Sequence, residues 1–314
     1  MSSRPVILFA AKAERWTEYE APLRAALDAA DLGHAHLTTQ AAPETVDYIV
    51  YAPNSGLTDF APFTRLKAVL NLWAGVEDVV GNPTLSAPLA RMVDSGLTEG
   101  MVEWVTGHVL RHHLGMDTHI HGQDGIWRPE SVPPLARDRH VAILGLGELG
   151  EACAKALVAL HFKVSGWSRS PKMIDGVTSH HGADGLDDIL AKAEITVLLL
   201  PKTPATENTL DAKRLVQMPK GAVIINPGRG PLIEDEALLA ALTSGQIGHA
   251  TLDVFRTEPL PADHPYWSHP NVTVTPHIAS ATRTGTASKV IVENIRRGEA
   301  SEAFLHLVDR KAGY

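Results

Sequence analysis

The sequence predicts an α/β fold built on parallel sheets, and three observations carry that prediction. Short apolar runs bounded by turn residues alternate with helix-length segments along the chain. Several of those runs are apolar at nearly every position, as in strands buried on both faces. At 314 residues the chain is too long for one small domain and suits two.

In the first part, Val6–Phe9, Asp47–Tyr51 and Lys67–Leu72 read as strands. Glu14–Ala30 carries Trp16, Tyr19, Leu23 and Leu27 at helical spacing and should pack on their sheet. Gly81–Gly96 reads as loop. A long amphipathic segment, about Thr98 to Leu114, follows, with Thr98 as its expected N-cap. Gly122–Arg139, broken by Pro129, Pro133 and Pro134, reads as a connection between domains. A second series of strands follows: His140–Leu144, Lys163–Trp167, Ile195–Leu200, Ala222–Asn226, Gly248–Val254 and Val272–Thr275. The helix-like stretch Ala287–Arg297 lies beyond them and is expected to return to the first domain.

Composition narrows the function classes. With 44% hydrophobic and 20% charged residues, the chain reads as a globular domain protein. Its 28 basic against 36 acidic residues give a formal charge of −8, which argues against a nucleic-acid surface. No apolar run approaches the ~20 residues of a membrane helix. The stretch Pro5–Ala11 is too short for a signal core and reads as a first strand. A single cysteine, Cys153, excludes an internal disulfide and suits a reducing, cytoplasmic compartment.

Val141 to Gly150 is a strand, then G-x-G-x-x-G, then a helix over Glu151–Leu160. Gly145 permits the tight turn, Gly147 lets a pyrophosphate approach, and Gly150 allows close helix–strand packing. The helix start, with Glu148 and Leu149, offers unpaired N–H groups to phosphate. NAD-binding versions carry a carboxylate about 20 residues on, at the next strand end. Here that place reads Gly166-Trp167-Ser168-Arg169-Ser170-Pro171-Lys172, with no carboxylate. A guanidinium, two hydroxyls and an ammonium suit a 2′-phosphate, so NADP (NADPH) is the expected cofactor.

Three further motifs stand at later strand ends, where ligands of open α/β sheets gather. They are Asn226-Pro227-Gly228-Arg229-Gly230, Leu252-Asp253-Val254-Phe255-Arg256-Thr257-Glu258-Pro259 and Pro276-His277-Ile278-Ala279. Reducing a 2-keto acid needs a cation to polarise the carbonyl and an acid to protonate the developing alkoxide. Arg229 suits the first role, since its planar fork stays charged. His277 suits the second, and Glu258 is the carboxylate to orient it and favour its charged form.

Together with the glycine turn and the loop Trp73-Ala74-Gly75-Val76, these motifs resemble the D-isomer-specific 2-hydroxyacid dehydrogenase family over nearly the whole chain. Trp167-Ser-Arg-Ser170 and the ending Val308 to Tyr314 are most similar to its glyoxylate/hydroxypyruvate reductase A branch. The resemblance implies two doubly wound parallel-sheet domains with a cleft between them. Residues 1–100 and 285–314 would form a flavodoxin-like substrate domain, and 101–284 a Rossmann cofactor domain. It gives Arg229, Glu258 and His277 the roles already argued. It gives the substrate carboxylate to the backbone of Ala74, Gly75 and Val76, bordered by Trp73. Asp253 would hold the nicotinamide carboxamide, with Leu200, Pro201, Thr203, Asn226, Pro227, Gly228 and His277 beside the cofactor. It also implies a homodimer, through a region that includes Trp104, Val105, His108 and Leu110.

The sequence departs from the family pattern at Trp73, where a small residue is usual, at Glu77, where Asp is usual, and at Pro227-Gly228. A tryptophan beside the carboxylate loop would narrow the pocket toward glyoxylate or hydroxypyruvate. The spacing of His108 and His112 could present two imidazoles on one helix face, but no third ligand is evident and no metal is expected. Cys153 reads as a small buried hydrophobe. Two rival readings remain: a nicotinamide-sensing, corepressor-like binding protein, and a dehydrogenase of bulkier keto acids.

Overall fold

In the computed structural model, which describes residues 4–314, the chain divides into two compact units. The first three residues of the amino-terminal stretch lie outside this description. Of the described residues, one unit comprises 4–97 and 281–314, the other 98–280.

The first unit contains β1 (Val6–Ala10), α1 (Ala13–Ala29), β2 (His36–Thr38), β3 (Tyr48–Tyr51), β4 (Ala68–Asn71) and β5 (Leu89–Ala90). Its sheet is parallel, in the order β2-β1-β3-β4-β5, the flavodoxin-like winding. Alternation along β1 separates two cores. Ile7 and Phe9 face Tyr19, Leu23 and Leu27 of α1, while Leu8 joins Ile49, Val69 and Val79 on the other side. The carboxy-terminal helix of the chain, Thr284–Glu299, buries Ala287, Ile291, Val292 and Ile295 in the α1 core, so it does return to this unit. Beyond it, Leu307 bridges Ala90, and the Arg310 guanidinium donates to the carbonyls of Val80, Asn82 and Leu85.

Helix α2 (Ser95–His113) leads into the second unit, followed by α3 (Met116–His121), β6 (His140–Leu144), α4 (Glu148–Ala159), β7 (Lys163–Ser168), β8 (Val177–His181) and α5 (Gly182–Leu190). Then come β9 (Ile195–Leu198), α6 (Ala212–Gln217), β10 (Ala222–Asn226), α7 (Asp235–Thr243), β11 (Ile247–Leu252) and β12 (Val272–Val274); Thr284–Glu299 is α8. The seven strands are parallel, ordered β12-β11-β10-β9-β6-β7-β8, the Rossmann winding with an added edge strand. Ala142 and Leu144 of β6 face one core, Val141 and Ile143 the other, which is why this strand is apolar throughout.

Two expectations need correction. Helix α2 starts at Ser95, not Thr98, because Asp94 Oδ1 accepts the Leu97 N–H at 3.2 Å and caps the helix one turn earlier. The segment 122–139 is not a connection between the units; it lies inside the second. No described helix is long and apolar enough to cross a membrane.

Candidate active site

The glycine turn follows β6. Gly145 has φ +107°, a left-handed conformation, and a Cβ there would lie 2.5 Å from Leu199 O. A Cβ at Gly150 would stand 1.7 Å from Gly145 O, so α4 packs on the turn only with glycine. Gly147 differs. Its φ is −73° and nothing lies within 4 Å of a Cβ position. The fold therefore supplies no reason for glycine at 147, whereas the close approach of a ligand does. Gly147 caps α4 without a side chain, which leaves the helix amino terminus, at Glu148 and Leu149, to an external acceptor. Leu199 and Leu200 continue from β9, so the turn sits at the sheet's switch point between β6 and β9. Pro201 O accepts from Thr206 Oγ1 at 2.6 Å, and Thr203 N–H donates to the same hydroxyl, which orders the neighbouring loop.

β7 ends beside that turn: Gly145 N–H donates to Trp167 O at 2.8 Å. The Trp167 indole N–H is tied to Gly182 O at 2.7 Å, and Ser168 Oγ donates to Ser170 O. Arg169, Ser170 and Lys172 are exposed, and no carboxylate stands between 167 and 172. These residues fit a cofactor bearing an extra phosphate better than one needing a carboxylate for a free hydroxyl.

His277, Glu258 and Arg229 gather beyond the carboxyl ends of β10, β11 and β12. His277 Nδ1 lies 2.7 Å from Glu258 Oε2, and Glu258 Oε1 accepts the Phe255 N–H at 2.9 Å. The carboxylate is thus fixed by one oxygen and orients the ring with the other, leaving Nε2 for chemistry. The hydrogen bond that the ring donates to Glu258, and then the charge of that carboxylate, raise the His277 pKa above the ordinary value, against burial and the charge of Arg229. Burial disfavours the Glu258 anion, but bonds from His277 and Phe255 outweigh it and its pKa is lowered. His277 has φ +54°, a conformation non-glycine residues seldom adopt. Its N–H bonds to the carbonyls of Asp253 and Thr275 hold it there.

Asp253 is fully buried. Its oxygens accept from Thr275 Oγ1 at 2.6 Å, Ile278 N–H at 2.8 Å and Ala279 N–H at 2.9 Å. It braces the loop that carries His277, and any bond to a cofactor amide would be in addition to these three. Asn226 acts similarly on Arg229: its Nδ2 donates to Arg229 O at 3.0 Å and its Oδ1 accepts the Gly228 N–H. Buried Pro227 and Gly228 complete the turn, and an Arg229 guanidinium N–H reaches Gly228 O at 2.7 Å. Gly230 is forced, since its Cβ would fall 2.0 Å from Phe255 C.

In the first unit, β4 ends at buried Asn71, whose Nδ2 donates to Trp73 O at 2.9 Å and Gly75 O at 2.8 Å. Planar trans peptides then turn the N–H groups of Ala74 and Val76 to the opposite side. Neither backbone nor side chain accepts the N–H of Ala74, Gly75 or Val76 among the described residues. Main-chain donors without a protein acceptor suit an anion. Trp73 is 38% exposed and belongs to no core cluster. Asn71 and the positioning part of Asn226 have no sequence signature; a lone asparagine after a strand reveals nothing until its turn is seen.

The expected partner-facing set also changes. Val105 is wholly buried in the core, while Trp104 lies against His108 with ring centroids 4.2 Å apart and planes tilted by 53°. Cys153 is buried, and burial pushes its thiol pKa up to about 12.

Among known families, residues 106–279, more than half of the chain, match the D-isomer specific 2-hydroxyacid dehydrogenase, NAD binding domain. The chain belongs to this family. As a D-2-hydroxyacid dehydrogenase family member it is 39% identical over 281 residues to a glyoxylate/hydroxypyruvate reductase A of Yersinia enterocolitica, covering 86% of this chain and 88% of that protein. A glyoxylate/hydroxypyruvate reductase A of Photorhabdus laumondii is 40% identical over 277 residues, covering 85% and 88%. Among solved structures, a D-isomer specific 2-hydroxyacid dehydrogenase from Xanthobacter autotrophicus Py2, in complex with NADPH and MES, superposes with a TM-score of 0.92 at 38% identity, covering 99% and 100%. An NADPH-dependent glyoxylate/hydroxypyruvate reductase from Sinorhizobium meliloti, with NADP and sulfate, gives 0.83 at 34% identity, covering 99% and 100%.

Proposed function

We propose that the chain is an NADPH-dependent reductase of small 2-keto acids such as glyoxylate and hydroxypyruvate. The observation that carries this reading is the His277–Glu258 pair beside Arg229, a proton donor whose pKa its carboxylate partner raises next to a cation. Family membership and the NADPH-bound relatives support the cofactor. The row of N–H donors at 74–76 takes the substrate carboxylate. Arg229 polarises the ketone and stabilises the alkoxide that develops on its oxygen. Bound NADPH supplies the hydride to the carbonyl carbon. His277 gives its Nε2 proton to that oxygen, while Glu258 stabilises the imidazolium beforehand and fixes the ring.

The test is oxidation of NADPH and NADH with glyoxylate, hydroxypyruvate, pyruvate and phenylpyruvate. Turnover with the two small substrates is expected. Turnover confined to bulky keto acids would overturn the pocket-narrowing role of Trp73. NADPH binding without any turnover would leave the sensor reading in its place.

Arg169→Asp tests the phosphate assignment. Removing a charge-assisted bond costs about 1.5–3 kcal/mol, or ~10–100-fold in affinity. NADPH should weaken by at least that much while NADH holds or gains. Equal losses for both would show that Arg169 does not read the phosphate.

The partner expected is a second copy. Between 116 and 135 the second unit exposes Ile120, Ile126, Trp127, Val132 and Leu135, with Trp127 90% accessible. Exposed apolar side chains so concentrated mark an interaction surface. Light scattering should give a dimer for the wild type and a monomer for Trp127→Asp combined with Val132→Asp. A dimer that survives both changes places the interface elsewhere.

A further inference from the structure

One cluster in the second unit takes no part in this chemistry. His112 lies in the last turn of α2, Asp117 in the first turn of α3, and His249 near the start of β11. One ring nitrogen of each imidazole and one carboxylate oxygen all lie within 4.8 Å of one another. The two rings are 4.8 Å apart at their centroids and tilted by 46°. By spacing, the sequence would pair His112 with His108; the fold pairs it with a histidine far along the chain.

The surroundings suit ligation. Nε2 of His112 lies 2.9 Å from Thr251 Oγ1, and Nε2 of His249 lies 2.9 Å from Thr273 Oγ1. Among the described residues, no group bonds Nδ1 of either ring. Imidazoles that bind metal ions regularly donate one N–H to a neighbouring acceptor, which fixes the tautomer and frees the other lone pair. The two threonines, on adjacent strands β11 and β12, provide such acceptors. Arg111 Nε donates to Asp117 Oδ1 at 2.7 Å, which aims the carboxylate and leaves Oδ2 available.

We propose that His112, Asp117 and His249 form a binding site for a divalent transition-metal ion of the zinc type. Two imidazole nitrogens and one carboxylate oxygen match the borderline preference of zinc, not the all-oxygen shells of calcium or magnesium. Three protein ligands leave a fourth position for water. The donors come from α2, α3 and β11, so a bound ion would cross-link those elements. They stand toward the start of β11, whereas Asp253 follows its end, so the role is structural.

The experiment uses untagged full-length protein, dialysed against a chelator and titrated with Zn²⁺ against a competing chelator. One ion per chain is expected, with a higher melting temperature when saturated. Asp117→Asn and His249→Gln, both with circular dichroism like the wild type, should each weaken binding at least tenfold, and His108→Gln should not. In the wild type, Co²⁺ should give visible bands of a low-coordinate nitrogen–oxygen site. Absence of binding, or binding that Asp117→Asn and His249→Gln leave unchanged, overturns the proposal.

Discussion

Arg229→Ala is expected to lower kcat/KM for glyoxylate and hydroxypyruvate by about 10²–10³-fold, the usual cost of removing one donor from a developing oxyanion. The melting temperature should hold, because the Arg229 side chain is only half-buried and its turn is set by Asn226 and Gly230. A dose of guanidinium restoring part of the rate would identify the missing group as the cation itself. Loss of NADPH binding together with turnover would instead assign Arg229 to the cofactor. Asn226→Ala makes a useful contrast. It removes no charge but unties both ends of the turn, so kcat should fall while the net charge near His277 stays the same.

His277→Gln should lower kcat by about 10²–10⁴-fold, the range for a positioned general acid. The pH dependence gives the sharper check. The His277 pKa is raised by the Glu258 hydrogen bond and charge, so the proton-donating form persists above the ordinary histidine range. Reduction should therefore hold its rate at low pH and fall as pH rises through that raised pKa. Glu258→Gln removes the two largest causes of the increase and leaves only the weaker charge of Asp253, while burial and Arg229 push the other way. Its falling limb must move to lower pH. A limb that stays in place would mean that some other group supplies the proton.

Much of the fold was legible because buried parallel strands leave continuous apolar runs. The strands that pattern reading passes over are His36–Thr38, Leu89–Ala90 and Val177–His181, and each is an edge of its sheet. An edge strand is covered on fewer sides, so it can be very short or, like Val177–His181, largely polar. That His277, Glu258 and Arg229 would gather was legible because they lie in compact motifs after strong strands. Their supports were not. Asn71, and the bracing parts played by Asn226 and Asp253, act on residues that turn geometry brings to them, and the His112–His249 pair depends on how the fold brings α2 to β11. The N-cap at Thr98 failed for a related reason: several polar residues could start that helix, and only the buried Asp94 meets its third N–H.

The loop after β4 has a consequence for how the family's substrate range could shift. The donors it offers are main-chain N–H groups, held in place by the one asparagine that bonds the Trp73 and Gly75 carbonyls. Amide groups of the backbone neither titrate nor change with the residue that bears them. These donors therefore place no demand on the side chain at 73, provided that Asn71 remains. Under the proposed function, mutation is free to resize the space around the carboxylate while the hold on it persists. Bulk at position 73 is then an adjustable setting, inherited separately from the reaction.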